Sequence, residues 1–360
     1  MLKIGIVGLV QVGKTTLFRI LTHAHGSGLA SVRQETHVGV VRVPDARLDR
    51  LTEMYPGRKA VHASVEYVDT PGSIIELART GLQSQNLREL NALAHVVRAF
   101  EEGAVPAEGG SVDPQRDIEN IELELILSDL AVAEKRLERL EKDIKKQKNP
   151  ALEKEYQALE TCKAALDKQT PLREVPLGVE EEWAIRGFTF LSLKPMLYVL
   201  NLGEKEAGRA NAAEQFATAA GLKQRPHTAV SAVCGKVEAE LAELSDADAA
   251  EFLESYGLAE SAMARLIRAS YRLLGLISFF TIGENECRAW TIRSGVTAWE
   301  AAGEVHSDFQ RGFIRAEVVK FEDLVAVGSL AEARHHAQLR LEGKEYVVHD
   351  GDVVYFRHSS

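Results

Sequence analysis

Residues 8–16 read GLVQVGKTT, in which Gly8 is followed by four residues and then by Gly13, Lys14 and Thr15. That spacing marks a loop that wraps an anion in main-chain N–H groups, provided that it leaves a buried strand and opens a helix. The flanking sequence meets both conditions. Leu2, Ile4, Ile6 and Val7 form a short apolar run suited to a buried parallel strand, and Leu17, Ile20 and Leu21 share one face of a following helix. In such a loop Gly8 and Gly13 let the backbone approach phosphates, with Val12 and Thr16 completing the cradle. Lys14 reaches the β and γ oxygens, and the Thr15 hydroxyl is a ligand for Mg²⁺.

Further along, residues 65–72 read as a strand that ends in Asp69-Thr70-Pro71-Gly72. Downstream of a phosphate loop, this Asp69 is expected to hold Mg²⁺, partly through water. The Gly72 N–H is expected to touch a γ-phosphate, so that hydrolysis changes the chain that follows. Ser73 stands where Ras-like enzymes place a water-orienting Gln, and its hydroxyl is short for that task. Lys14, Asp69, Gly72 and Ser73 are therefore the catalytic candidates, and slow intrinsic turnover is expected, because electrostatic stabilisation is present without an evident water-positioning group. His37 is the one other side chain considered near a γ-phosphate, and a lone loop histidine is more commonly a solvated residue.

A second apolar run, residues 195–201, ends in Asn201-Leu202-Gly203-Glu204. Guanine-reading sites carry Asn-Lys-x-Asp at such a strand end. Leu202 removes the lysine stem and charge, and the extra methylene of Glu204 displaces the carboxylate, so guanine discrimination should be weak. Asn201 can offer its amide oxygen to an adenine amino group, and Leu202 can pack on the ring. Residues 228–233 give another short strand, with Ser231, Ala232 and Val233 as a supporting loop. ATP is the expected ligand and GTP the alternative.

Between these strands the pattern changes. Ile126, Leu130, Ala133, Leu137, Leu140 and Ile144 recur at alternating spacings of four and three, and Leu152, Tyr156, Leu159 and Leu166 resume the stripe after Asn149-Pro150. The pattern predicts an antiparallel helical hairpin inserted into the nucleotide domain, which divides as 1–117 and 190–276 around an insertion at 118–189. Residues 135–148, KRLERLEKDIKKQK, put seven basic residues against three acidic ones, a candidate RNA-contacting face or simply a solvated one. From 277 to 360 the chain reads as a small mixed domain. FFTIG and CRAWTIRSG are strands, TAWEAAGEV a helix, and EYVVHDGDVVYFRHS a β-hairpin about residues 349–352.

Composition narrows the partners. A net charge of −10 gives no overall attraction to nucleic acid, so any RNA contact needs a local basic patch. Cys162, Cys234 and Cys287 are too few for a disulfide framework and wrongly spaced for zinc. The chain opens on the phosphate-loop strand with no signal-peptide pattern, and no apolar run reaches membrane-spanning length, so a cytoplasmic location without membrane association is expected. Oligomeric state is open, with a monomer as the default expectation.

The chain resembles the Obg-like ATPase (YchF) family, a branch of the translation-factor class of P-loop NTPases. The resemblance runs nearly end to end, through GLVQVGKTT, VGVVRVPDARLDRL (38–51), VDTPG, HVVRAFE (95–101), VDPQRDIENIELELILSDL (112–130), KRLERLEK, NLGE, VSAVCGKVEAELAEL (230–244), residues 288–325 and the ending EGKEYVVHDGDVVYFR. It implies an α/β fold with a G-domain-like, mostly parallel sheet, an inserted coiled-coil hairpin and a C-terminal α+β TGS domain of β-grasp type. It also implies ATP binding with Mg²⁺, slow hydrolysis, and association with the ribosome or RNA in regulating translation or stress responses. Val10 and Gln11 replace the Pro and Asn usual in the family loop, which counts against the potassium ion that this Asn helps to hold in related GTPases. In the first switch Arg33 stands at the magnesium-sensing Thr position, with Thr36 three residues away, and the run after Ser73 departs from the family's glycine-rich segment.

Overall fold

The computed structural model describes residues 2–22, 37–70, 72–75, 86–101, 110–146, 149–209 and 211–359, with the side chains of 246 and 247 excepted. Arg33 and Thr36, residues 76–85 of the segment after Ser73, and Lys148 of the basic run lie outside these residues. The chain forms two compact units, Leu2–Gly39 with Glu66–Leu273, and Val40–Val65 with Leu274–Ser360.

The first unit is built on a six-stranded sheet. Its strands are β1 (Lys3–Val7), β2 (His37–Arg42), β4 (Ser64–Asp69), β5 (Ala92–Ala99), β6 (Met196–Leu202) and β7 (Thr228–Val233), in the order β2-β4-β1-β5-β6-β7. Of these strands only the end of β2 and the start of β4 fall in the segment 40–65. β1 lies between β4 and β5, parallel to both, and β5, β6 and β7 continue the parallel run. Such strands are covered on both faces, which is why they read as unbroken apolar runs: from Ala92 to Arg98 every residue of β5 is buried. The sequence reading did not assign β5 as a strand, because His95 and Arg98 interrupt its apolar character.

The helical insertion consists of α3 (Pro114–Lys146) and α4 (Pro150–Leu166). The turn between them is set by Asn149, whose side chain accepts the Ala151 N–H, and by Pro150 at the first helical position. Ile126, Ala133, Leu137 and Leu140 of α3 pack on Ala158, Leu159, Cys162 and Leu166 of α4, flanked by Leu130, Ile144, Leu152 and Tyr156. The expected seam is thus the observed one. A short helix not anticipated from sequence, α5 (Val179–Ile185), adds Ile185 to that core.

Buried charge fixes the insertion to the sheet. Asp129 of α3 is fully buried, and its carboxylate accepts the N–H groups of Leu191 at 2.9 Å and Ser192 at 2.7 Å as well as Arg88 Nη1 at 3.2 Å. One turn-pair earlier, Glu122 accepts the hydroxyl of Tyr198, on β6, at 2.5 Å and pairs with buried Arg173. Basic residues at the far end of α3 behave differently: Lys142, Lys145 and Lys146 are exposed, whereas Arg136 forms a two-pronged pair with Glu155 of α4 at 2.7 and 3.0 Å.

The second unit carries its own six-stranded sheet. Its elements are β3 (Lys59–Val61), β8 (Leu276–Ile282), β9 (Glu286–Arg293), β10 (Phe313–Lys320), β11 (Arg340–Glu342) and β12 (Asp352–His358), in the order β11-β10-β12-β8-β9-β3. The outermost strand β3 comes from the early segment 40–65 and pairs in parallel with β9, Lys59 opposite Glu286. In the same segment α2 (Ala46–Met54) is capped by Asp45, and Arg47 reaches Asp350 at 2.8 Å while its guanidinium lies 5.2 Å from the Phe280 ring centre. The unit therefore takes in residues well upstream of the boundary expected at 277.

The hairpin expected within residues 345–358 does not form. β12 pairs antiparallel with β10 and parallel with β8, and before it Val347 bridges Thr297, with a turn at 350–351. The reason lies in the two aspartates: Asp350 accepts the Ser278 N–H at 2.9 Å, and Asp352 accepts the His349 N–H at 2.9 Å and the Tyr346 hydroxyl at 2.8 Å. These bonds turn the chain toward β8 instead of folding it back on itself. Among the described residues no helix is long and apolar enough to cross a membrane.

Replacing Asp129 by Ala leaves the buried N–H groups of Leu191 and Ser192 without this acceptor and Arg88 without its carboxylate partner, though Arg88 keeps the carbonyls of Phe188 and Thr189 and the Ser128 hydroxyl. Loss of one partner from a buried pair costs about 3–5 kcal/mol. The expected outcome is a lower urea midpoint with faster amide exchange in α3 and α4; an unchanged midpoint would remove this carboxylate from the anchorage.

Candidate functional site

The GLVQVGKTT loop leaves β1 and enters α1 (Lys14–Thr22), a helix with no acidic residue in its first turn, so its positive end is uncompensated. Two glycines make the curvature possible. Gly8 has φ of 151° and Gly13 of 99°, and a Cβ at either would lie 2.6 Å from the Val96 carbonyl oxygen or 2.5 Å from Asn201 Nδ2. Gln11 also adopts a left-handed φ of 61°, unusual for a residue with a side chain. Val12 is buried beneath the loop, and the Lys14 ammonium lies over its centre, donating to the carbonyls of Gly8, at 3.2 Å, and Leu9. Thr16 is exposed next to Thr15 at the helix start.

Asp69 closes β4 beside this loop. Its Oδ2 accepts the Thr15 hydroxyl at 3.1 Å, while Oδ1 is buried and has no hydrogen-bond partner among the described residues. Burial pushes the carboxyl above the usual carboxylate range, against the pull of the Thr15 hydrogen bond and the Lys14 charge. A buried carboxylate oxygen without a donor, next to a threonine hydroxyl, is a donor set fit for a hard divalent cation. Gly72 has a left-handed φ of 87°, and Ile74 N–H donates to the Gly8 carbonyl at 3.2 Å, so the chain after Asp69 is tied directly to the loop. Ser73 is buried, and its hydroxyl accepts the Ile75 N–H at 3.3 Å, a local turn contact. The His37 ring stands 6.4 Å from that of Phe18.

On the other side of the loop a cavity of about 670 Å³ is lined by Gln11, Gly13, Thr16, Asn201, Leu202, Gly203 and Glu204 together with Phe100, Glu101, Cys234, Gly235, Lys236 and Ala239. Its volume is that of an ordinary small-molecule site. Asn201 spans its floor with both ends of the amide engaged: Nδ2 donates to the Val12 carbonyl at 3.0 Å and Oδ1 accepts the Gly235 N–H at 3.1 Å. Glu204 pairs with Lys236 at 2.8 Å on the exposed rim.

Ser231, Ala232 and Val233 are not brought into this cavity. They lie in β7 and line a separate space of about 380 Å³, with Leu202 and Cys234 bordering both; the residues that face the first cavity are the next three, Cys234, Gly235 and Lys236. Phe100 is the wall that sequence reasoning missed. Its ring is backed by the Arg98 guanidinium at 4.6 Å, and no spacing rule marks it, since its place depends on β5 ending level with β6. His95 also escaped notice: it is buried next to Gly8, edge-on to Tyr198 at 5.7 Å, and neither ring nitrogen has a hydrogen-bond partner among the described residues. Burial drives its pKa down to about 3, with the Lys14 charge acting in the same direction, so the ring is neutral.

Comparison with known proteins matches this geometry. A family described as "50S ribosome-binding GTPase" covers residues 3–150, and the YchF-GTPase C-terminal family, described as a protein of unknown function, covers 276–359. The chain is 42% identical over 362 residues to the "Ribosome-binding ATPase YchF" of Bacillus subtilis, covering 99% of each, and 40% identical over 360 residues to that of Escherichia coli O157:H7, covering 98% of each. The solved structure of the Schizosaccharomyces pombe YchF GTPase superposes with a TM-score of 0.84 at 29% identity, covering 99% of this chain and 97% of that one. At 42% identity to a curated relative over 99% of both chains, with a family model matching its C-terminal part, the chain belongs to the YchF family.

Proposed function

We propose that this protein binds ATP with Mg²⁺, hydrolyses it slowly, and uses its nucleotide state to govern contact with the ribosome or another RNA-containing partner. The observation that carries the reading is the Thr15–Asp69 pair, whose unpartnered buried oxygen sits beside a loop bent around Gly8 and Gly13. In this reading the loop N–H groups and Lys14 hold the triphosphate, and Thr15 and Asp69 hold the cation, partly through water. Bound Mg²⁺ would offset the negative charge of the β and γ oxygens. Gly72 offers its N–H to the γ-phosphate, and the Ile74 to Gly8 hydrogen bond gives that contact a route to the following chain.

For the base, Asn201 acts mainly by clasping the loop to Gly235, since both ends of its amide are engaged. Leu202 and Phe100 supply apolar walls, and Glu204 with Lys236 supplies the polar rim. Leu202 stands in place of the lysine of guanine-reading sites, and the Glu204 carboxylate is engaged by Lys236 on the rim, which supports ATP over GTP. The curated relatives are named ribosome-binding ATPases, and the exposed Lys142, Lys145 and Lys146 at the tip of the insertion are a suitable RNA-facing patch. The insertion at 118–189 would then be the partner-contacting part, and residues 277–360 the TGS-like part.

A second reading, a nucleotide-gated binding module with little hydrolysis, is favoured by Ser73, a short side chain in place of a water-orienting Gln, with its hydroxyl accepting the Ile75 N–H of its own turn. Single-turnover hydrolysis with and without ribosomes separates the two, because acceleration by ribosomes is expected only of the switch ATPase.

Calorimetry on nucleotide-free protein with Mg²⁺ should give tighter binding of ATP than of GTP; the reverse order would overturn the base assignment. Lys14→Ala removes charge-assisted hydrogen bonds of about 1.5–3 kcal/mol each and should abolish measurable triphosphate binding while circular dichroism is unchanged. Retained affinity would defeat the phosphate assignment. In Asp69→Asn the dependence of ATP affinity on Mg²⁺ concentration should flatten, and a wild-type dependence would place the cation elsewhere.

A further inference from the structure

Helix α6 (Leu330–His335), in the second unit, and its C-terminal cap residue His336 gather three metal-ligating side chains that the nucleotide site does not use. Glu332 and His336 are four residues apart, hence on one face, with Nε2 of His336 at 3.7 Å from a Glu332 carboxylate oxygen. His335 joins them, its ring edge-on to that of His336 with centres 5.4 Å apart. One ligand atom from each of the three residues lies within 4.8 Å of the others, and all three side chains are exposed. A left-handed Ala337, φ of 56°, ends the helix directly after His336.

The backbone carrying these groups is held in place. Ser329 caps the helix through the Glu332 N–H at 3.2 Å, Ala333 is fully buried, and the Leu330 N–H donates to the Tyr55 hydroxyl at 3.2 Å. The neighbouring cation, Arg334, is turned toward Glu317 at 3.0 Å. Ligand atoms around a tetrahedral zinc-sized ion at about 2.0–2.1 Å stand about 3.3 Å apart, so closure needs rotation of exposed side chains and no movement of the main chain.

We propose that Glu332, His335 and His336 form a binding site for a divalent transition-metal ion of the zinc class. Two imidazole nitrogens and one carboxylate oxygen suit zinc, copper or nickel and are a poor set for magnesium or calcium, which take oxygen ligands. Three protein ligands leave a coordination position for water or an outside donor. The site is chemically distinct from Thr15 and Asp69, which offer oxygen alone.

The test is calorimetric titration of the chelator-stripped full chain with zinc chloride, in the absence of nucleotide and Mg²⁺, checked by competition with a chromogenic zinc chelator. One ion is expected to bind in the micromolar range, with Glu332→Gln, His335→Asn and His336→Asn each weakening it about tenfold or more. Because all three residues are exposed, circular dichroism should confirm an unchanged fold in each variant. Asp69→Asn should bind zinc as the wild type does. No saturable binding up to millimolar zinc, unchanged affinity in the triple variant, or loss of the ion in Asp69→Asn would each overturn the proposal.

Discussion

A single amide joins the segments that line the candidate nucleotide site. Asn201 is nearly buried at the end of β6, and it joins the Val12 carbonyl of the phosphate loop to the Gly235 N–H after β7, segments that chain connectivity leaves far apart. The bond works only because Gly13 has no side chain where Nδ2 sits, so the left-handed glycine and the amide each require the other. An Asp of the same length has no N–H to donate to Val12, and a longer Gln would press into the loop. Asn201 thus links the phosphate loop to the segment after β7 across the cavity that both line.

The same strand carries the second constraint. Tyr198, three residues before Asn201 on β6, gives its hydroxyl to Glu122 of the helical insertion, and its ring packs against His95 under the phosphate loop. Nucleotide site and insertion therefore share β5 and β6 as a common floor. Buried ion pairs such as Glu122 with Arg173 gain little stability over an apolar packing, but they fix one geometry, which is what a projecting pair of helices needs at its root.

Much of this was legible in the sequence, and the limits have physical causes. The phosphate loop, the Asp69 strand end and the seam of the insertion are local patterns: their residues lie within a few turns of one another and obey spacing rules that any strand–loop–helix or helix pair must obey. Phe100, Lys236 and His95 could not be read that way, since each is brought to the site by the register of parallel strands, which no local pattern encodes. Ser231 to Val233 were placed at the base cavity when they belong to β7, a shift of three residues where strand and loop meet. The hairpin expected near residue 350 failed for a related reason: alternation and an Asp-Gly pair suggest a reversal, but Asp350 and Asp352 bond to β8 and to Tyr346.

The contribution of residues 40–65 to the second sheet bears on how the chain is made. β3 and α2 leave the ribosome early in synthesis, yet their partners β9 and Asp350 are synthesised more than two hundred residues later, after the entire first unit and its insertion. During that interval this segment carries a bare strand and a half-buried amphipathic helix with nothing to pair against, the state in which strands are prone to mispair with other chains. Vectorial synthesis thus leaves the second unit as the last to close, and a fragment cut at 277 would present β9 as an open edge.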